Sequence, residues 1–316
     1  MRIGVLGVGH MGCYHANLLS VLPLADFRGV YDIDQSCSAE VAARYGVCPY
    51  SDSGDLLRDV DAVCIAVPTE KHCEVACEAL VSGVHVLLEK PIATDLDSAS
   101  RMIDLAQQKG LIFQIGHIER FNGAIRQVAS IIDRPYLIET RRLSPFNPRI
   151  RDVGVVLDLM IHDLDIVTTL VEEEVVGVNA FGASVKTSFE DIANAHLYFK
   201  GGCIVNLIAS RATPERIRTL SVSQESGYIL LNYDSQEISI HKQTDQEYHL
   251  EEREIKYRVA STAERVFVHS VNPLQQELTH FLKCVSGEEQ PLVPKTQDLR
   301  TLETALRVVD SIGKKS

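Results

Sequence analysis

The stretch RIGVLGVGHMG, residues 2–12, constrains the fold of this chain more than any other. An apolar run from Ile3 to Leu6 reads as a strand, and Gly7, Gly9 and Gly12 follow it in the spacing G-x-G-x-x-G before a helix begins. Each glycine has a physical task. Gly7 permits the tight turn, Gly9 lets backbone approach a pyrophosphate, and Gly12 lets the helix pack closely on the strand. The next strand, DFRGVYDID, ends in Asp32, twenty residues after Gly12. A carboxylate there accepts hydrogen bonds from both adenosine ribose hydroxyls and repels the additional phosphate of NADP. Ile33 follows, with no adjacent arginine to hold a 2′-phosphate. The reading is an NAD site, with Gly7, Gly9, His10, Met11, Gly12 and Asp32 as contacts.

The alternation continues through DAVCIAVP, a helix, VHVLLEKP, a second helix ending at Gly110, and LIFQIGH. Strands alternating with helices imply a doubly wound parallel sheet with right-handed crossovers. Three of these strands finish in Pro68-Thr69, Glu89-Lys90-Pro91 and Gly116-His117. In such sheets ligands bind beyond the carboxyl ends of the strands. Pro68, Thr69, His72, Glu89 and Lys90 are therefore further candidate cofactor contacts. The pair Glu89-Lys90 closes an otherwise apolar strand, which fits either a working site or a plain strand-end ion pair.

A length of 316 residues suggests two domains, divided here into 1–117 and 118–316. The net charge of −12, from 31 basic and 43 acidic residues, argues against a nucleic-acid partner, whose phosphates need a basic face. No apolar run approaches the ~18 residues of a membrane span, and the N-terminus enters a strand directly without a signal-peptide pattern. The expectation is a cytoplasmic protein with no membrane partner. The eight cysteines contain no Cys-x-x-Cys, so no metal site is expected and mostly buried, reduced thiols are.

Beyond residue 118 the pattern turns to longer strands. ANAHLYF and CIVNLIAS form a hairpin about Gly201-Gly202, TLSVSQ and YILLNY another, and EISIHKQ and EYHLEEREIKY extend the sheet. Helices near 120–132 and 158–171 would cover one face, while Ile204, Ile208 and Leu230 leave the other unusually apolar. NPLQQELTHFLKCVSG and TQDLRTLETALRVVDSIG read as closing helices with stops at Gly287 and Gly313. The segment VGVVLDLMIHDLDIVTTLV places Asp158, His162, Asp165 and Thr169 at i, i+4, i+7 and i+11, a polar stripe on an apolar helix. Aspartates are poor interior helix formers, so their repetition calls for a reason.

The G-x-G-x-x-G turn, E-K-P after a later strand, GHIERFN and LDLMIHDLD together resemble the Gfo/Idh/MocA oxidoreductases over nearly the whole chain. The resemblance implies a Rossmann domain joined to an α+β domain with an open, mainly antiparallel sheet. It implies NAD-dependent oxidation or reduction of a sugar or polyol, with Lys90 beside the nicotinamide and a cis bond before Pro91. Chemistry then suggests roles. His162 suits a general base near neutral pH, Asp158 could orient it, and Lys90 could hold the alcohol oxygen by a charge-assisted hydrogen bond. Lys90 is itself a candidate base, and the sequence leaves that choice open. Met160 stands where many members have glycine.

The arginines of RRLSPFNPRIRD, with GHIERFN, are most similar to the branch that oxidises UDP-N-acetylglucosamine at the 3-hydroxyl. A guanidinium is the natural partner of a diphosphate, and Arg120, Asn122, Arg149 and Arg151 are candidate substrate contacts beside Lys90, Asp158 and His162. A free-sugar or myo-inositol dehydrogenase, and a catalytically silent NAD-binding regulator, are the alternatives. The resemblance also implies a homodimer or homotetramer packed through the C-terminal sheet.

Overall fold

Every residue of β1 (Arg2–Leu6) after Arg2 is buried, as a strand covered on both faces requires. The computed structural model describes residues 1–148, 153–248, 256–268 and 271–314. They fall into two compact units.

The first unit comprises Met1–Phe121, Ile150–Val153 and Asn272–Leu306. Its sheet is all parallel, with β1 central, β2 (Asp26–Tyr31) and β3 (Cys48–Pro49) on one side and β4 (Ala62–Ile65), β5 (His85–Glu89) and β6 (Phe113–Gly116) on the other. The strand order reverses at β1, the switch point where doubly wound sheets open a binding crevice. The crossovers carry α1 (His10–Leu19), α2 (Gln35–Tyr45), α3 (Ser53–Asp59), α4 (His72–Val81) and α5 (Leu96–Gln108). Local chemistry sets their ends. Asp34 and Asp95 accept backbone N–H groups as N-caps of α2 and α5, and Gly110, at φ +65°, ends the turn after α5 as expected.

The division differs from a single cut after residue 117. Asn272–Leu306, containing α8 (Pro273–Ser286) and most of α9 (Lys295–Gly313), belongs with the nucleotide-binding sheet. Leu278, Phe281 and Leu282 share one buried cluster with Ile3, Val5, Leu19 and Leu87. Gly287 caps α8 at φ +79°.

The second unit comprises Asn122–Arg149, Gly154–Val271 and Arg307–Ser316. It is built on an eight-stranded sheet of order β14-β13-β12-β11-β7-β10-β9-β8. The strands are β7 (Leu137–Leu143), β8 (Val175–Ala183), β9 (Ile192–Phe199), β10 (Ile204–Ser210), β11 (Ile217–Gln224), β12 (Gly227–Asn232), β13 (Glu237–Tyr248) and β14 (Lys256–Val266). Among the described residues only the pair β7–β10 is parallel in this sheet. Both hairpins expected from the sequence form, β9–β10 and β11–β12. Of EYHLEEREIKY, expected to extend the sheet, the first two residues end β13 and the last two begin β14, while 249–255 lie outside the described residues. One face carries a cross-strand row of Leu197, Val205, Ile138, Val222 and Ile229, all buried. Helices α6 (Gly123–Ile131) and α7 (Ile161–Val171) pack against this sheet. Tyr198, Ile204, Tyr228 and Leu230 on the sheet remain exposed.

All eight cysteines are free thiols, but only Cys64, Cys203 and Cys284 are buried, fewer than expected; Cys37 and Cys48 lie at the surface. Among the described residues no helix is long and apolar enough to cross a membrane.

Candidate active site

The dinucleotide turn is built as its glycines require. Gly7 adopts φ +86° and donates its N–H to the carbonyl of Tyr31 at 2.8 Å. A side chain on Gly12 would collide with the carbonyl of Gly7, so glycine is what lets α1 start so close to β1. Gly9 is different: a Cβ there would meet nothing within 4 Å, so its backbone faces open space. No side chain caps α1, and no acidic residue lies in its first turn. Its leading amides and the positive end of its dipole are thus available to a diphosphate. His10 is exposed, Met11 half-buried, and the His10 ring stands edge-on to Tyr14.

Asp32 lies just past the end of β2. Its Oδ2 accepts the N–H of Val8 at 2.7 Å and its Oδ1 that of Asp34 at 2.9 Å. These bonds fix the carboxylate beside the glycine turn, where a ribose diol would sit. The bare helix start, the open backbone at Gly9 and the oriented Asp32 all fit NAD.

The loop after β4 holds Pro68, which is exposed, and Thr69, which is buried. His72 is buried, with Nδ1 2.8 Å from the carbonyl of Pro91 and Nε2 3.0 Å from that of Val67. Burial pushes its pKa down against the pull of those two carbonyls. Both nitrogens of this candidate cofactor contact therefore face the protein's own backbone, and the ring ties the end of β4 to the proline after Lys90.

Lys90, half-buried at the end of β5, precedes a cis Lys90–Pro91 bond, the geometry the resemblance implied. Glu89 is not its exposed partner. The Glu89 side chain is buried and Oε1 lies 2.8 Å from Nε2 of His15 on α1. Burial alone would raise this carboxyl, but the hydrogen bond and charge of His15, with Lys90 and His72, hold it below its ordinary range. Gly116, opposite Glu89 on β6, makes room: a side chain there would come within 3.3 Å of Oε2.

Two residues the sequence reading passed over belong to this cluster. His15 shares the buried face of α1 with Gly12, Ala16 and Leu19, and a histidine on such a face was the available signal. Glu277 of α8 is fully buried, and neither oxygen has a hydrogen-bond partner among the described residues. Burial and then the charge of Glu89 push its pKa well up, with Arg120 opposing. Two acids in one neighbourhood are thus driven in opposite directions, the pKa of Glu89 down and that of Glu277 up.

The second unit carries the aspartate–histidine helix. The expected α-helix is α7, but it is preceded by a wider π turn over Val156–Met160, which contains Asp158. Such turns often mark functional positions. Asp158 is buried and His162 half-buried. The polar stripe is not a solvated one, because Asp165 is buried too and Thr169 donates to the carbonyl of Asp165 at 2.8 Å. Arg142 of β7 grips the helix beside His162. Its Nε and Nη2 donate to both oxygens of Asp163 at 2.9 and 2.8 Å, with both residues buried and the guanidinium 4.8 Å above the ring of Tyr233.

The substrate candidates are placed differently. Nη2 of buried Arg120 donates to buried Asp298 at 2.7 Å. Asn122 caps α6: its Oδ1 accepts the N–H of Ala124 at 3.0 Å and its Nδ2 donates to the carbonyl of Tyr233 at 3.3 Å. Both ends of this amide thus serve the fold. Arg149 and Arg151 lie outside the described residues.

The turn, the acidic strand end and the parallel sheet define an NAD-binding oxidoreductase of the Rossmann type. Residues 1–117 match the oxidoreductase family with an NAD-binding Rossmann fold, and residues 119–230 match the GFO/IDH/MocA C-terminal domain. The chain belongs to the Gfo/Idh/MocA family. It is 33% identical over 309 residues to the UDP-N-acetylglucosamine 3-dehydrogenase of Acidithiobacillus ferrooxidans, covering 98% of this chain and 96% of that protein. It is 26% identical over 332 residues to the scyllo-inositol 2-dehydrogenase (NAD(+)) of Bacillus subtilis, covering 98% and 94%. A solved structure of the A. ferrooxidans dehydrogenase superposes with a TM-score of 0.90 at 32% identity, covering 99% of this chain and 98% of that one. The chain is an NAD-dependent enzyme of the kind that acts on CH–OH groups.

Proposed function

We propose that the substrate is UDP-N-acetylglucosamine and that the enzyme oxidises its 3-hydroxyl to a 3-keto nucleotide sugar. The observation carrying this reading is the likeness to the UDP-N-acetylglucosamine 3-dehydrogenase through both domains, at 33% identity over 98% of the chain. Lys90, Asp158 and His162 are all present, which supports turnover over a silent NAD-binding role.

Bound NAD supplies the hydride acceptor. In the proposed site Lys90 donates a charge-assisted hydrogen bond to the alcohol oxygen and favours its negative charge as the proton leaves. His162 takes that proton, and Asp158, one turn earlier on the same helix, orients the imidazole and stabilises its cation. Replacing Lys90 and His162 singly and comparing pH–rate profiles tests this division of labour: if Lys90 is the base, the basic group in the profile disappears with K90A and persists in H162A.

The exposed side chains of Tyr198, Ile204, Tyr228 and Leu230 support a homodimer or homotetramer packed through the C-terminal sheet. A cytoplasmic location fits the eight free thiols.

The test is mass spectrometry of the purified protein with NAD, a keto acid to recycle the cofactor, and a panel including UDP-N-acetylglucosamine, myo-inositol and free hexoses. The expected result is a product two hydrogens lighter from the UDP-sugar alone. A product from inositol or a free sugar, and none from the nucleotide sugar, would replace the substrate while leaving the dehydrogenase.

A further inference from the structure

The first turn of a helix leaves its N–H groups without intrahelical partners. At the start of the helix bearing Asp158 and His162, one residue takes two of them. The N–H of Val155 donates to the backbone carbonyl of Glu190 at 2.8 Å, and the N–H of Val156 donates to the Glu190 carboxylate, Oε1, at 3.2 Å. The carboxylate thus sits at the positive end of the helix dipole. Gly154 immediately precedes this turn, and a side chain there would collide with the Glu190 carboxylate. Glycine at 154 leaves that place to the carboxylate, which would otherwise swing aside from Val156.

Glu190 is itself held. Its neighbour Asp191 is fully buried, and Oδ2 accepts the N–H groups of Val185 and Thr187 at 2.7 and 2.9 Å. Oδ1 accepts from the Thr187 hydroxyl at 2.9 Å and from Nε of buried Arg211 at 2.8 Å. These bonds hold the Asp191 pKa far below the usual carboxylate range against its burial. The loop before Glu190 is thereby knotted to one side chain, and β8 and β9 flank it. From this anchor the chain runs through Gly154, whose carbonyl accepts the N–H of Asp158 at 3.0 Å, and one turn further to His162.

We propose that Glu190 is a positioning residue for the reaction: it fixes the rotation and height of the π turn and thereby the placement of Asp158 and His162. The inference rests on the reading of those two as reacting groups. A plain structural cap would contribute stability alone. A positioning residue also contributes to the rate, because misplacement near 1 Å costs about a hundredfold.

Two variants separate the possibilities, Glu190→Ala and Glu190→Gln, the second keeping an oxygen acceptor for Val156. Both are compared with the wild-type protein, loaded with NAD, by hydrogen–deuterium exchange over residues 155–162 and by steady-state kinetics with UDP-N-acetylglucosamine. E190A is expected to exchange faster in that segment and to lose kcat by about ten- to a hundredfold, with the KM for NAD unchanged. E190Q is expected to recover most of kcat, and adding E190A to H162A should lower kcat no further. Unaltered exchange in E190A, or faster exchange at full kcat, would overturn the proposal. A wild-type protein that turns over no sugar would overturn the proposed function instead, and the exchange comparison alone would then decide whether Glu190 holds the turn.

Discussion

Nε2 of His15 and Oε1 of Glu89 lie 2.8 Å apart in a buried pair, so the glutamate of the E-K-P turn is tied to the dinucleotide helix. The strand end carrying Lys90 is thus fastened to the element that receives the diphosphate. His72 adds a second fastening, from Pro91 to Val67. Of the pair Glu89-Lys90, the acid makes the buried contact to α1.

Removing His15 should therefore destabilise the protein. H15A leaves a buried carboxylate without its imidazole, a loss of about 3 kcal/mol. Urea denaturation at pH 7 measures it. The double variant H15A/E89Q, which removes the charge as well, should regain part of the loss; if it is no more stable than H15A, the pair is not the cause.

Asp32 gives a binding prediction. Its carboxylate is already oriented by Val8 and Asp34, so the ribose contact needs little rearrangement. Replacing it by alanine removes two charge-assisted acceptors and should weaken NAD by about ten- to a hundredfold. Calorimetric titration with NAD provides the measurement, and an unchanged Kd would remove Asp32 from the cofactor site.

This half of the protein was legible because its signals are local. The turn Gly7-x-Gly9-x-x-Gly12, the caps Asp34 and Asp95 and the apolar strands each act within a few residues. What escaped the sequence depends on distant partners. Helix α8 reads as a closing helix, but nothing in its own pattern says that Leu278, Phe281 and Leu282 pack with Ile3 and Val5. The same holds for side chains. Arg120, read as a diphosphate contact, also pairs with Asp298, 178 residues away, which nothing in its local sequence announces. Asn122, read as a substrate contact, also caps α6, a role its position before Gly123 and Ala124 could have suggested. The π turn at Asp158 has no signature in the helical spacing that pointed to the stripe.

The cap at Asn122 can be tested directly. As a helix cap its loss should cost about 1 kcal/mol, and N122A should lower the melting temperature while leaving the KM for the sugar substrate within about twofold. A large rise in KM with unchanged stability would return Asn122 to the substrate site.

Lys90 should show the opposite profile. K90A removes a donor aimed at the alcohol oxygen in the proposed site, a loss of about a hundredfold or more in kcat. Its NAD affinity should change little. Equal losses of kcat and NAD binding would contradict the catalytic assignment.

Glu277 leads to a pH prediction whose sign follows from burial. Its folded pKa lies well above the ordinary 4.5, raised by burial and by Glu89. As pH climbs from that ordinary value to the raised one, the unfolded chain has released the proton and the folded chain still holds it. The folded state then binds more protons, so stability falls with rising pH across that window. Glu89, held below its ordinary range, acts on the other side: its contribution is lost only as pH falls beneath that range. Between about pH 5 and the raised pKa of Glu277 this carboxyl contributes a falling slope, while His72, whose pKa burial lowers, contributes a rising one up to its ordinary 6.5, so comparison with a Glu277 variant isolates the first. E277Q cannot ionise, so its stability should lack that falling slope, and its advantage should grow from pH 5 toward pH 8. Melting temperatures of the two proteins across that range measure the difference. Parallel curves would mean that Glu277 gives up its proton as readily in the folded protein as in the unfolded chain.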